Sequence, residues 1–205
     1  MLATVLALQG EVVCQTSEQT AANPLRLGAN PGSGTILRTS SDGRADLVLV
    51  PGALLQISGD SEVRIEQLLL TKDGNETEDG MRERVARVSL NRGSLTVVFN
   101  REDASELRFT VATVGVTLSA DDNCVWRVRV EGGKTRMTCA RGKASVSTGG
   151  SEPAVINAGY FCEWPGGAVR LATDDARAKR DLSEALDAEQ RLRQLQQARL
   201  NRRPF

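Results

Sequence analysis

The chain has 205 residues, room for one large domain or a domain with an appendage; apolar residues make up 40% of it and aromatics only 3%, so any core must come from Val, Leu, Ile and Ala. Lys and Arg number 26, as do Asp and Glu, and this balance argues against a dedicated nucleic-acid binder. No histidine occurs, which removes Ser-His-Asp and Cys-His catalysis and His-ligated zinc, and argues against an enzyme.

Residues 1–8 are apolar but lack a basic start and are too short for a signal peptide. An exported chain is therefore expected to have lost its leader before this numbering begins. From 3 to 171 the sequence is a succession of short apolar-alternating runs punctuated by Gly, Asn and Asp. The clearer ones are 3–13 (broken at Gly10), 25–27, 35–38, 45–50, 54–57, 61–70, 85–90, 94–99, 107–112, 116–119, 125–130 and 135–140; 144–147, 154–156 and 160–164 are weaker. β-Branched residues and a spacing of roughly ten predict strands, and no helical period intervenes to make βαβ units.

Residues 71–84, TKDGNETEDGMRER, break this rhythm and are expected to form an exposed acidic loop. Asp73, Asn75 and Asp79 suggest a calcium loop, but Thr77, Glu78 and Arg84 stand where an acidic ligand, a glycine and a bidentate Glu are needed. Asn75-Glu76-Thr77 is a glycosylation sequon of a kind common by chance. The best hairpin pairs 125–130 with 135–139 across Gly132-Gly133, whose freedom at positive φ suits a tight turn. Trp126, Val128 and Val130 fall on its apolar face, Arg127 and Arg129 on a charged outer side.

From Asp174 the composition changes: no Gly or Pro occurs until Pro204, and helix formers dominate. Acidic residues stand at the start and arginines at the end, as a helix dipole favours. Ala178, Leu182, Ala185, Ala188 or Glu189, Leu192 and Leu195 trace a thin apolar stripe. The segment 172–205 is thus expected to be one long amphipathic helix, for docking or oligomerisation, after a β-domain spanning 1–171. Its leucines Leu182, Leu186, Leu192 and Leu195 would meet a protein partner or an equivalent helix. Arg191, Arg193 and Arg199, with Arg202 and Arg203, would face an acidic surface. The alternative is that the helix folds back along one face of the β-domain and covers an otherwise open edge.

None of the four cysteines forms a C-x-x-C pair, so neither a thiolate zinc site nor a thioredoxin-like motif is expected. An even count in a β-rich chain suits disulfides and an oxidising compartment; buried thiols are the alternative. The expected pairs are Cys14–Cys162, near the two ends of the β-domain, and Cys124–Cys139, flanking the hairpin. A turn centred on Glu131-Gly132 would set the second pair directly opposite, whereas one on Gly132-Gly133 would make it diagonal. No cofactor, metal or catalytic residue is expected, and no segment is apolar enough to span a membrane.

Two stretches carry a family resemblance. The first runs from Leu27-Gly28 through Gly34-Thr35-Ile36-Leu37-Arg38-Thr39, Ser41-Asp42-Gly43-Arg44 and Pro51-Gly52 to Ser61-Glu62-Val63-Arg64-Ile65. The second runs from Val88-Ser89-Leu90-Asn91-Arg92-Gly93-Ser94-Leu95 through Val111-Ala112-Thr113 to Gly142-Lys143-Ala144-Ser145-Val146. In this order they resemble the FecR domain, the periplasmic domain named for the iron-dicitrate sigma-factor regulator. The resemblance implies a twisted β-solenoid or β-roll, a periplasmic or extracellular address, and a role in protein contact. Val114-Gly115-Val116-Thr117 departs from the Arg-Gly-Thr turn common there. The absence of a cytoplasmic anti-sigma segment and membrane helix points to a stand-alone form. The leading expectation is an exported binding or scaffolding module of the cell envelope, acting through its β-domain and helix. A sensor domain of a sigma/anti-sigma system is the alternative. A carbohydrate-binding or carbohydrate-active domain comes third, because Trp126 and Trp164 could stack on sugars but read better as core, and Asp121-Asp122 make a poor acid/base pair.

Overall fold

A computed structural model describes residues 1–16, 21–72, 81–101, 106–120, 122–149 and 152–201. Most of them are in strands, and the alternation read from the sequence becomes two layers sharing one core. The first layer runs in the order β1 (Thr4–Gln9), β5 (Arg44–Val50), β6 (Ala53–Ile57), the second half of β8 (Met81–Phe99), β11 (Cys124–Glu131), β12 (Lys134–Arg141), β15 (Tyr160–Trp164) and β16 (Arg170–Leu171). The second runs β3 (Asn23–Pro24), β2 (Val12–Gln15), β4 (Ile36–Thr39), β7 (Glu62–Lys72), the first half of β8, β9 (Glu106–Ala112), β10 (Thr117–Ala120), β13 (Lys143–Ser147) and β14 (Ala154–Asn157). The strand β8 belongs to both layers, so runs that read as separate strands, 85–90 and 94–99, are one continuous element.

The bend in β8 falls at Gly93, where φ is +84°. A Cβ there would lie 2.2 Å from Ser61 Oγ and 2.5 Å from Ser61 Cα, so both the backbone angle and the close approach demand glycine. Gly93→Ala is expected to lose about 1–3 kcal/mol from the backbone angle alone, and more from the contact with Ser61. A urea midpoint within error of wild type would refute this.

The mostly-β chain with one C-terminal helix forms as expected, and among the described residues every ladder is antiparallel except β8 with β9. That exception follows from the bend, because β8 leaves the second layer, passes through the first, and the chain returns to lie parallel to its own first half. The two layers form an open sheet. Inward residues of both meet in one core: Phe109 on β9 lies 6.5 Å, centroid to centroid, from Phe99 and 6.1 Å from Trp126. Trp126 is fully buried, and Trp164 packs partly buried against the same core.

The hairpin forms as expected, with Glu131 opposite Lys134 and Gly132 and Gly133 at φ +58° and +74°. The acidic loop is shorter than 71–84: Thr71 pairs with Glu83 and Lys72 with Met81, and Arg84 is a buried strand residue whose Nη1 donates to the Pro51 carbonyl. The remainder, 73–80, including the calcium-loop positions and the sequon, lies outside the described residues, as do Asp121 and residues 202–205.

The chain ends in α1 (Ala176–Leu200), about 37 Å long at 1.5 Å per residue. Asp175 caps it, its carboxylate accepting from the Arg177 and Ala178 amides, and these bonds, the Ala178 one foremost, hold its pKa below the usual carboxylate range. The helix lies across the outer face of the first layer, against β11, β12, β8, β6 and β1. The foldback alternative is therefore the one observed, along a face of the first layer as expected, although that face rather than an open edge is what the helix covers. Among the described residues no helix is long and apolar enough to cross a membrane.

Candidate interaction site: the helix-covered face

The contact begins with side-chain size. Ala178, Asp181, Ala185, Ala188 and Leu192 recur every three or four residues and are all buried, so one narrow face of α1 meets the sheet. Ala185 and Leu192 pack on Leu54, Val98 and Val125, the outward residues of β6, β8 and β11. Ala178 joins Phe161 and Ala172, with Leu182 beside them. Three alanines supply little apolar area; their smallness lets the helix come close enough for charged neighbours to reach across.

Those neighbours occupy the outward positions of strands whose inward residues fill the core. Arg127 is 4% exposed; its Nη1 donates to Thr96 Oγ1 (2.8 Å) and its Nη2 to Ser94 Oγ (2.8 Å) and Ser58 Oγ (3.1 Å). From the helix, Glu184 lies 2.7 Å from Nη2 and Asp181 3.4 Å from Nε. Burial draws the pKa of Arg127 below the usual arginine range, with Glu184 and Asp181 opposing. The Asp181 carboxylate, itself buried, also takes Arg129 Nη2 at 2.8 Å and stands 3.8 Å from Arg136 Nη1. Further along, Arg141 on β12 meets Glu189 at 2.7 Å. Arg191 meets the buried Asp46 at 2.9 Å, and Asp46 also accepts from Gln56 Nε2. Beside the helix runs a polar cleft of about 540 Å³, lined among others by Arg44, Arg127, Arg129, Glu184, Asp187 and Arg191.

Several expected partner residues are thus engaged within the chain. Leu192 is fully buried and Leu182 partly so, Arg191 is held by Asp46, and Arg193 pairs with Glu189 one turn back. Leu186 is exposed, and Leu195 and Arg199 are half-buried. The expected charged outer side of the hairpin is also corrected: Arg127 is covered by a segment some fifty residues downstream. The residues that build the face, Asp46, Arg127, Arg136, Arg141, Asp181, Glu184 and Glu189, were not among the candidates. One signal was available. Asp181 interrupts the alanine stripe at a position facing the same way as Ala178 and Ala185, and a carboxylate there needs a cationic partner.

The cysteines are buried except Cys14, and no disulfide links them among the described residues. The turn on Gly132-Gly133, with an irregularity between Val125 and Trp126, sets Cys139 opposite Trp126, so Cys124 and Cys139 are not cross-strand partners. Cys162 lies on β15 opposite Met137, Cys14 on β2 opposite Leu37. Burial pushes the Cys139 thiol up to about 12 and raises that of Cys162. Iodoacetamide at pH 8 is therefore expected to label Cys139 far more slowly in the folded chain than in urea, and equal rates would contradict it. Because the unfolded thiol ionises first, near 9, stability should fall as pH rises from about 9 toward 12.

Among the described residues no cluster of His, Cys, Asp and Glu could hold a metal ion. Trp126 is too deeply buried to stack on a sugar.

Residues 35–145 match the family model described as FecR protein. No curated protein shows significant sequence similarity. Two crystal structures of a "putative anti-sigma factor" from Parabacteroides distasonis are similar at 12% identity and a TM-score of 0.45, covering 66% of this chain. This chain spans about 57% of the length of those proteins.

Proposed function

The chain belongs to the FecR family, and from that membership we propose that it is a regulatory domain of a sigma/anti-sigma system in the bacterial cell envelope. The match over residues 35–145 carries this reading. It places the sensor alternative ahead of the scaffold, whose main support was a helix free to reach a partner; α1 rests on the chain's own sheet. The domain acts by binding rather than catalysis, since the ionisable groups gathered at the helix-covered face neutralise one another in ion pairs. A protein partner and a periplasmic or extracellular address belong to the same proposal. Contact by Leu186, Leu195, Arg193 and Arg199 on the less covered side of α1 does too.

The test is transcript sequencing of a strain lacking the chain and of that strain complemented. A several-fold, complementable change in genes sharing one promoter element is expected. Changes with no common promoter element would refute the regulatory reading.

A further inference from the structure

The face beneath α1 does not have the composition of a permanent interface. Its outward positions include Asp46, Gln56, Thr96, Arg127, Arg136 and Thr138, residue types that strands normally present to water, and all are buried by the helix or its margins. The apolar share of the contact is limited to two small clusters, Leu54, Val98 and Val125 against Ala185 and Leu192, and Phe161 and Ala172 against Ala178 and Leu182. Lifting the helix would therefore expose many guanidinium, hydroxyl and amide groups that water can solvate, beside a few apolar side chains.

The helix also leaves part of this face unsatisfied. Arg127 Nε and Thr138 Oγ1, side by side because Arg127 pairs with Thr138 across β11 and β12, have no hydrogen-bond partner although both residues are buried. The Arg127 Nε stands 3.4 Å from Asp181, an ion-pair distance without a hydrogen bond. A ligand with an acceptor slightly better placed would make bonds that α1 does not. What α1 brings is a short pattern: Asp181, Glu184, Ala185, Ala188 and Glu189, three carboxylates facing a row of arginines with two alanines permitting close approach. At the helix start Thr173 and Asp174 are exposed, whereas Ala172 is buried and its amide donates to the Gly159 carbonyl. A hinge at 173–175 would leave the β-layers anchored.

We propose that the arginine-lined outer face of the first layer is an interaction surface for an acidic amphipathic helix of a partner protein, and that α1 is its intramolecular competitor. The partner helix carries carboxylates at the Asp181, Glu184 and Glu189 spacing and small residues between them, and it binds as α1 lifts. The inference rests on this geometry and holds whether or not the chain acts on a sigma factor, so the transcript experiment and the following one fail independently.

The probe is a fluorescent synthetic peptide of residues 175–201, titrated into the full chain and into its Ala185→Arg variant. In that variant a large side chain replaces a fully buried methyl on α1, and every residue of the sheet face is retained. The variant should keep its β circular-dichroism signal and bind the peptide at least about tenfold more tightly than wild type, whose affinity is reduced by the small fraction of open chains. A peptide carrying Asp181→Lys and Glu184→Lys should not bind. Hydrogen exchange on the wild-type chain should show residues 176–200 opening well before β11. A folded variant that ignores the peptide overturns the proposal. Dimerisation of the variant without peptide uptake also overturns it, because a second copy then fills the groove. Should the variant not fold, wild-type exchange decides: α1 opening only together with β11 overturns the proposal.

Discussion

Asp181→Ala is expected to undock α1 and lower stability by up to about 3–5 kcal/mol, the range for removing one partner from a buried ion pair. The carboxylate touches three guanidiniums, at 3.4 Å from Arg127, 2.8 Å from Arg129 and 3.8 Å from Arg136. Without it, Arg127 keeps only Glu184 among its acidic neighbours and stands buried beside the like charge of Arg129. The loss is bounded above by the docking free energy of the helix, because once α1 lifts the arginines regain solvent. Urea unfolding together with hydrogen exchange separates the two parts, with reduced protection over 176–200 and near-normal protection in β11. Unchanged protection of α1 would show that the alanine face alone holds the helix. Asp181→Asn, which keeps the shape and removes the charge, should reproduce most of the effect.

The other large effect lies in the core. Phe109→Ala should cost about 3–5 kcal/mol, the usual range for removing a buried phenyl ring. Phe109 projects from the second layer between Phe99 and Trp126 of the first, and among the described residues no further ring contacts it to refill the space. The side chains around it stand on paired strands, which cannot close in without breaking ladders. Phe109→Leu, which retains most of the volume, should lose much less. Thermal and urea midpoints measure both, and equal losses for Ala and Leu would place the ring's contribution in its aromatic contacts rather than in the volume it fills.

The contrast between these two sites also marks how far the sequence could be read. Local chemistry was legible. The alternation of Trp126, Val128 and Val130 with Arg127 and Arg129 put each side chain on the correct face of β11. Gly132-Gly133 located the turn, and the run of helix formers after Asp174 located α1, with ends a few residues too wide. The glycine-and-strand order of 27–146 carries the family resemblance by itself. Each of these depends on interactions between residues close along the chain, where steric limits on φ and ψ and side-chain periodicity act directly.

What could not be read involved segments far apart. That 81–99 is one strand serving two layers depends on Gly93 passing within touching distance of Ser61, which neither run of residues announces. The candidate site shows the same limit. Alternation states that Arg127 faces away from the core, and away from the core ordinarily means water; here it means Asp181 and Glu184. A thin apolar stripe such as that of α1 fits a partner, a second copy or the chain's own sheet equally well, since small apolar area under-specifies the docking surface. The choice among them comes from charge complementarity between outward positions of β5, β11 and β12 and one face of α1, a pattern assembled only when the strands are placed side by side.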